Sequence, residues 1–310
     1  MPLSLANHFQ AALNVTGPVL IVLVAGIVFK RIKLIDNHFV SVGNKLVFNV
    51  SLPCLLFLSV ASSSPEQSIN LPLVVFAVAA TLATVACLWL VTPLIVEKSK
   101  RGVFVQCAFR GNMGIIGLAL CVNAFGQGIL AMAAVYLAFL TILYNVLAVL
   151  LLSDSRIGVL TNLVKNPLII AIVAGLLWSQ VRLPVPTVAT LSLGYLAQLT
   201  LPLALLCIGA SLEWQSFKAN HRQAAMATAL KLVILPLIVV LGAIAYGFRG
   251  EALGVLFLMM SAPTAAAAYI MSKQMSSYGT LAAEIITLST ALSPITVTCG
   301  LVLLGYHQML

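Results

Sequence analysis

Charge is scarce in this sequence. Only 7% of its 310 residues are Asp, Glu, Lys or Arg, where a soluble globular chain carries about 25%. Acids are the scarcest, 7 against 16 Lys and Arg. Hydrophobic residues make up 62% and the mean hydropathy is +1.13. No water-soluble core absorbs that much apolar surface, so lipid is the implied solvent. The basic excess sits in short loops between apolar runs and forms no stripe with interleaved aromatics, which excludes nucleic acid as a partner. Six cysteines (Cys54, Cys87, Cys107, Cys121, Cys207 and Cys299) lie in or beside apolar runs without a C-x-x-C. They read as reduced, small hydrophobes of helix packing. The four histidines, His8, His38, His221 and His307, fall in loops or tails without metal-ligand spacing, so no metal or cofactor is expected. The first ten residues hold no Lys or Arg, and no cleavable signal is expected.

What the chain has instead is apolar runs. They predict an all-α polytopic membrane protein with spans at 11–29, 39–60, 70–96, 102–126, 128–152, 166–180, 187–212, 223–248, 251–274 and 280–305. Most of these cross a hydrocarbon core of about 30 Å at about 1.5 Å per residue. Orientation follows from the loops. Lys30, Arg31, Lys33, Lys45, Lys98, Lys100, Arg101, Arg156, Lys165, Lys218, Arg222 and Lys273 fall on one side, and only Arg182 and Arg249 on the other. The positive-inside rule makes the first side cytoplasmic. The expectation is a multi-pass protein of the cytoplasmic (inner) membrane with both termini outside.

The chain repeats itself at a spacing of 149 residues. Pro18, Ile21, Val24, Ala25, Gly26 and Leu34 recur as Pro167, Ile170, Val173, Ala174, Gly175 and Leu183. The same shift carries Leu52, Pro53, Leu56, Ala61 and Ser62 onto Leu201, Pro202, Leu205, Ala210 and Ser211. The repeats, 1–152 and 153–310, each contain five spans, and an odd number inverts the second copy. Inverted repeats are typical of secondary transporters, with the site where matching helices are broken at mid-membrane. A channel or an intramembrane enzyme can also contain a duplication.

The fourth and ninth spans hold the breaks. Arg110-Gly111-Asn112-Met113-Gly114-Ile115-Ile116-Gly117 concentrates poor helix formers in an apolar span. In Ser261-Ala262-Pro263-Thr264-Ala265, the proline removes a donor and pushes the residue before it out of helical geometry. Gly111 and Pro263 lie roughly 15 and 18 Å deep. Each break creates a half-helix N-terminus, whose N–H groups and positive dipole end favour an anion. Asn112 adds an amide that donates and accepts, and Arg110 adds positive charge. Neither break contains an acid, which favours a carboxylate or similar organic anion over a metal cation. Gly114 and Gly117 serve close helix packing equally well, and Arg110 can snorkel or pair with a carbonyl.

The segment GNMGIIGLAL resembles the G-N-x-G-x-x-G-L-P pattern of the auxin efflux carrier family. NPLIIAIVAGLL, LPLALLCIGASL, KLVILPL and SAPTAAAAYIMS resemble its other recurrent segments in order. The resemblance implies two inverted five-helix repeats with spans four and nine crossing as broken helices, an architecture similar to sodium–proton antiporters and bile-acid symporters. It also implies a scaffold set against a moving core in elevator-like alternating access, and organic acids as cargo. A homodimer is compatible with it, although no dimer motif is visible. Two departures stand out: Ala119 replaces the Pro after G-L, and Ala267 replaces an Asn, so a second ligand amide is not carried over.

Other polar residues inside spans remain two-sided. Asn49 and Ser51 before Pro53, and Gln198 and Thr200 before Pro202, either line a cavity or satisfy carbonyls freed by the prolines. Tyr136 and Asn145 in the fifth span are similar cases. Glu284 is either a protonatable coupling residue or a carboxylate near the cytoplasmic surface reaching water or Lys273. Lys231 reads as a structural charge, anchored near the interface or bound to carbonyls, in preference to a substrate contact. An enzyme would need a nucleophile with its base, a metal cluster or paired acids at one depth, and none can be assembled. The expected function is a carrier for a small organic anion in the lipid bilayer; the alternative is an anion channel of the same architecture.

Overall fold

The computed structural model describes residues 5–63, 69–152, 165–181, 184–212 and 220–310. Arg156, Lys218, Arg182, Leu183 and most of the polar break 153–165 lie outside the described residues. Twelve principal helical segments follow in chain order. They are α1 (Leu5–Arg31), α2 (Asn37–Ala61), α3 (Leu71–Leu94), α4 (Arg101–Phe109), α5 (Met113–Phe125), α6 (Gln127–Leu152), α7 (Pro167–Val181), α8 (Thr187–Ser211), α9 (His221–Tyr246), α10 (Gly250–Ser261), α11 (Ala266–Met275) and α12 (Gly279–Tyr306). Among the described residues there is no strand, only an isolated antiparallel bridge between Gly111 and Thr264.

Seven of these helices, α1, α2, α3, α6, α8, α9 and α12, are long and apolar enough to cross a membrane. The other three expected spans take shorter forms. The run 166–180 is the short helix α7, while 102–126 and 251–274 each divide in two, α4 with α5 and α10 with α11. The chain is thus an all-helical, multi-pass membrane protein.

Local chemistry sets the helix ends. The Asp36 carboxylate accepts from the Phe39 N–H at 2.7 Å to start α2, and the Asn70 side chain accepts from the Leu73 N–H at 3.1 Å to start α3. Gly247, at φ 106°, ends α9 in the left-handed conformation that a side chain would strain. Wide π turns at Val47–Ser51 and Leu230–Ile234 precede Pro53 and Pro236. They absorb the missing N–H and the bulk of the ring.

The broken segments lie at the centre. Every residue from Val103 to Phe109 in α4, and from Leu253 to Ser261 in α10, is buried, as expected of helices that are apolar all round. Around them, helices such as α1, α7 and α8 turn Ile21, Leu177 and Val188 outward, as lipid-facing helices do.

Two helix pairs beside this centre are built alike. Gly26 of α1 sits so close to α8 that a Cβ there would lie 2.3 Å from the Leu206 carbonyl oxygen. Gly209 of α8 returns the contact, 2.0 Å from the Leu23 oxygen. Gly175 of α7 meets α2 in the same way, with a Cβ 3.0 Å from the Phe57 oxygen and from Val60 Cβ. Adding 149 to Gly26 and Phe57 gives Gly175 and Leu206. The first helix of each half therefore packs on the second helix of the other half, and glycine brings the backbones together.

Candidate functional site

The two interruptions meet. α4 stops at Phe109, and Arg110 turns to extended geometry with ψ 97°. α10 stops at Ser261, and Ala262 before Pro263 takes ψ 137°, the region a following proline imposes. The two short extended pieces run antiparallel. The Asn112 N–H donates to the Pro263 oxygen at 2.6 Å, and the Ala265 N–H donates to the Arg110 oxygen at 2.9 Å. Backbone groups freed by the breaks are thus satisfied by each other, as a site away from water requires.

Side chains complete the junction. The Thr264 hydroxyl donates to the Cys107 oxygen at 2.8 Å, and the Thr264 N–H donates to the Ser289 hydroxyl at 3.1 Å. The Lys231 ammonium donates to the Met260 oxygen at 2.6 Å, so it is bound to a carbonyl as expected. Both carbonyls belong to the last turns before a break, where α-helices lack internal donors.

A cavity of about 470 Å³ opens on one side of this crossing. Arg110, Gly111, Asn112, Met113 and Gly114 line it from the first break, and Ala265, Ala266 and Ala267 from the second. The starts of α5 and α11 therefore both face it, bringing two positive dipole ends to one space. Phe48 and Asn49 of α2, with Leu137, Thr141, Tyr144 and Asn145 of α6, form further walls. Lys165, Asn166, Pro167 and Leu168 at the start of α7 close the outline. Among the described residues, no acidic side chain lines it.

Arg110 is 7% exposed. One guanidinium nitrogen donates to Asn145 Oδ1 at 2.7 Å, and the other to Met271 Sδ at 3.2 Å and, more weakly, to the Tyr144 oxygen at 3.5 Å. These are neutral partners. Among the described residues the only ion pair is Lys100 with Glu97. A nearly buried cation without a counter-ion is costly.

The remaining residues singled out from the sequence are dispersed. Pro263 and Thr264 stand behind the wall and hold the crossing together. Ser51 is buried, and its hydroxyl, like that of Thr200 149 positions later, has no partner. Asn49 reaches the cavity while its amide donates to the Lys45 oxygen at 2.9 Å. Tyr136 is fully buried with an unpartnered hydroxyl and does not line the cavity. Glu284 reaches neither water nor Lys273. It is fully buried and accepts from the Asn220 N–H at 3.2 Å and the Asn220 amide at 3.4 Å, just before α9 begins.

Phe48, Leu137, Thr141, Tyr144 and Leu168 line the cavity without having been read as site residues, and three polar contributors escaped as well. Lys165 and Asn166 lie in a polar break, although Asn-Pro before an apolar run is a helix-start signal that marks an anion-favouring end. Gln106, fully buried one turn before Arg110, accepts from the Ser272 hydroxyl at 3.4 Å and gives the second break a further tie to the first.

Comparison with known proteins places the chain in a family. The family model described as membrane transport protein matches residues 15–158 and 152–300. An uncharacterised transporter of Methanothermobacter thermautotrophicus is 27% identical over 292 residues, covering 92% of this chain and 96% of the relative. A protein of Rhizobium meliloti named "Putative malonate transporter" is 23% identical over 282 residues, covering 86% and 88%. With the family model matched along nearly its whole length, the chain belongs to the membrane transport proteins of the auxin efflux carrier family.

Proposed function

We propose that this protein is a secondary carrier for a small organic anion with a carboxylate, working by elevator-like alternating access. The observation that carries this reading is the cavity at the paired breaks, where Arg110, Asn112 and the starts of α5 and α11 converge and no acid among the described residues lines the space. The name of the Rhizobium meliloti relative adds malonate as the first compound to try.

The reciprocal packing of Gly26 on Leu206 and of Gly175 on Phe57 supports ten spans in two inverted five-helix repeats. On this reading α1, α2, α7 and α8 form the frame, and the crossed helices carry the substrate past it. The positive-inside count sets both termini outside and the start of α7 at the cytoplasmic face. The cavity bounded by Lys165 then opens inward.

Purified protein in vesicles loaded with unlabelled malonate, succinate or acetate should take up the matching labelled acid faster than empty vesicles do. Such exchange marks a carrier. Uptake indifferent to internal substrate, accompanied by currents, would mean an anion channel instead, and no uptake of any acid would reject the reading.

A further inference from the structure

Arg110 faces the cavity, whereas Lys231, the other buried cation of the crossing, does not. Lys231 is 2% exposed. It projects from the π turn Leu230–Ile234 of α9, and its ammonium donates to the Met260 oxygen at 2.6 Å. A Cβ added to Gly111 would lie 3.1 Å from Lys231 Nζ and 3.2 Å from the Ala262 oxygen. The ammonium therefore sits directly behind Gly111, in the space that the missing side chain leaves. Ser261, the residue between Met260 and Ala262 in sequence, is 1% exposed and its hydroxyl has no partner.

The ammonium thus sits on a backbone carbonyl at the C-terminal, negative end of a half-helix, where carbonyls lack internal donors. Carbonyl and hydroxyl oxygens in such a place suit a small hard cation, and carriers with broken helices bind coupling ions at half-helix ends of this kind. We propose that the Lys231 amino group, in its protonated form, is a tethered cation that holds the position at the end of α10 that a mobile Na⁺ or K⁺ would otherwise fill. The protein then assembles its crossing without a coupling alkali ion. This rests on the carrier reading only for its bearing on transport.

The test uses purified full-length protein in detergent at constant ionic strength, in chloride salts of Na⁺, NH₄⁺ or the bulky N-methylglucamine cation. Wild type should unfold at one temperature in all three. Lys231→Ala and Lys231→Gln should unfold earlier in N-methylglucamine and regain roughly 3 °C or more in Na⁺ or NH₄⁺, as a vacated site binds the ion. The same midpoint in all three salts for both variants overturns the proposal. So does recovery of neither variant from membranes kept in Na⁺ or NH₄⁺. Failure of wild type to transport any carboxylate would reject the carrier reading and leave these midpoints unchanged.

Discussion

The hydroxyl of Thr264 donates to the carbonyl oxygen of Cys107 across 157 positions of sequence. One side chain of the second break thereby caps the helix that ends at the first. Thr264→Val keeps the shape and removes the donor, leaving a buried carbonyl unpaired. The expected cost is about 1–3 kcal/mol, read as a lower thermal midpoint together with slower uptake. Thr264→Ser retains the donor and should stay near wild type in both measurements.

Gly26 and Gly209 bring two helices into backbone contact. An alanine at either position would place a methyl about 2 Å from a carbonyl oxygen, so the helices must separate. Each substitution should lower stability by about 1–3 kcal/mol. Gly175→Ala, with its nearest atoms at 3.0 Å, should cost less. Gly194 has nothing within 4 Å, and Gly194→Ala should be neutral or mildly stabilising. Thermal unfolding of the four variants in one detergent checks the order.

Arg110 and Asn112 should show their effect in transport rather than in folding. Asn112→Ala removes an amide from the cavity wall and should weaken apparent affinity about tenfold or more, by the worth of a hydrogen bond to a charged group. Arg110→Lys keeps the charge but loses the planar fork that reaches Asn145 and Met271 at once. It should transport poorly, while both variants elute as folded protein. Initial rates of uptake against substrate concentration in vesicles decide both cases.

Glu284, a candidate coupling residue, is hydrogen-bonded to Asn220, so a structural role and a coupling role predict different outcomes. Its carboxylate holds the Asn220 N–H at the entry to α9. Glu284→Gln keeps an oxygen acceptor there and should transport within about twofold of wild type. Glu284→Ala should lose about 1–3 kcal/mol of stability, the cost of leaving the buried Asn220 donors unpaired. Substrate-driven transport lost in Glu284→Gln at unchanged thermal midpoint would instead make it a coupling group.

The breaks were legible because Gly111, Asn112 and Pro263 are costly residues in lipid, and cost of that kind stands out against an apolar background. The register of the repeat was legible from paired prolines. The direction in which individual side chains point was not. Tyr136 lies in a helix that is apolar on all sides, so no periodicity distinguishes its core face from its cavity face, and it was placed with the candidate site residues though it is enclosed in the core. Lys231 was readable as a charge on carbonyls, yet its meeting with Gly111 depends on a π turn that shifts its direction. Lys165 and Asn166 reach the cavity only because α7 begins beside it, which is a matter of packing rather than of local pattern.

The antiparallel bonds between Asn112 and Pro263 and between Ala265 and Arg110 also set a timetable for biogenesis. When the first break enters the bilayer, the residues that satisfy it have not been synthesised. Each unmet peptide group in hydrocarbon costs several kcal/mol. The newborn first half must therefore hold its break near water or a membrane chaperone until the second arrives. Chains that stop short of Thr264 should be recognised as unfinished and degraded, and the substrate site comes into being all at once, late in synthesis.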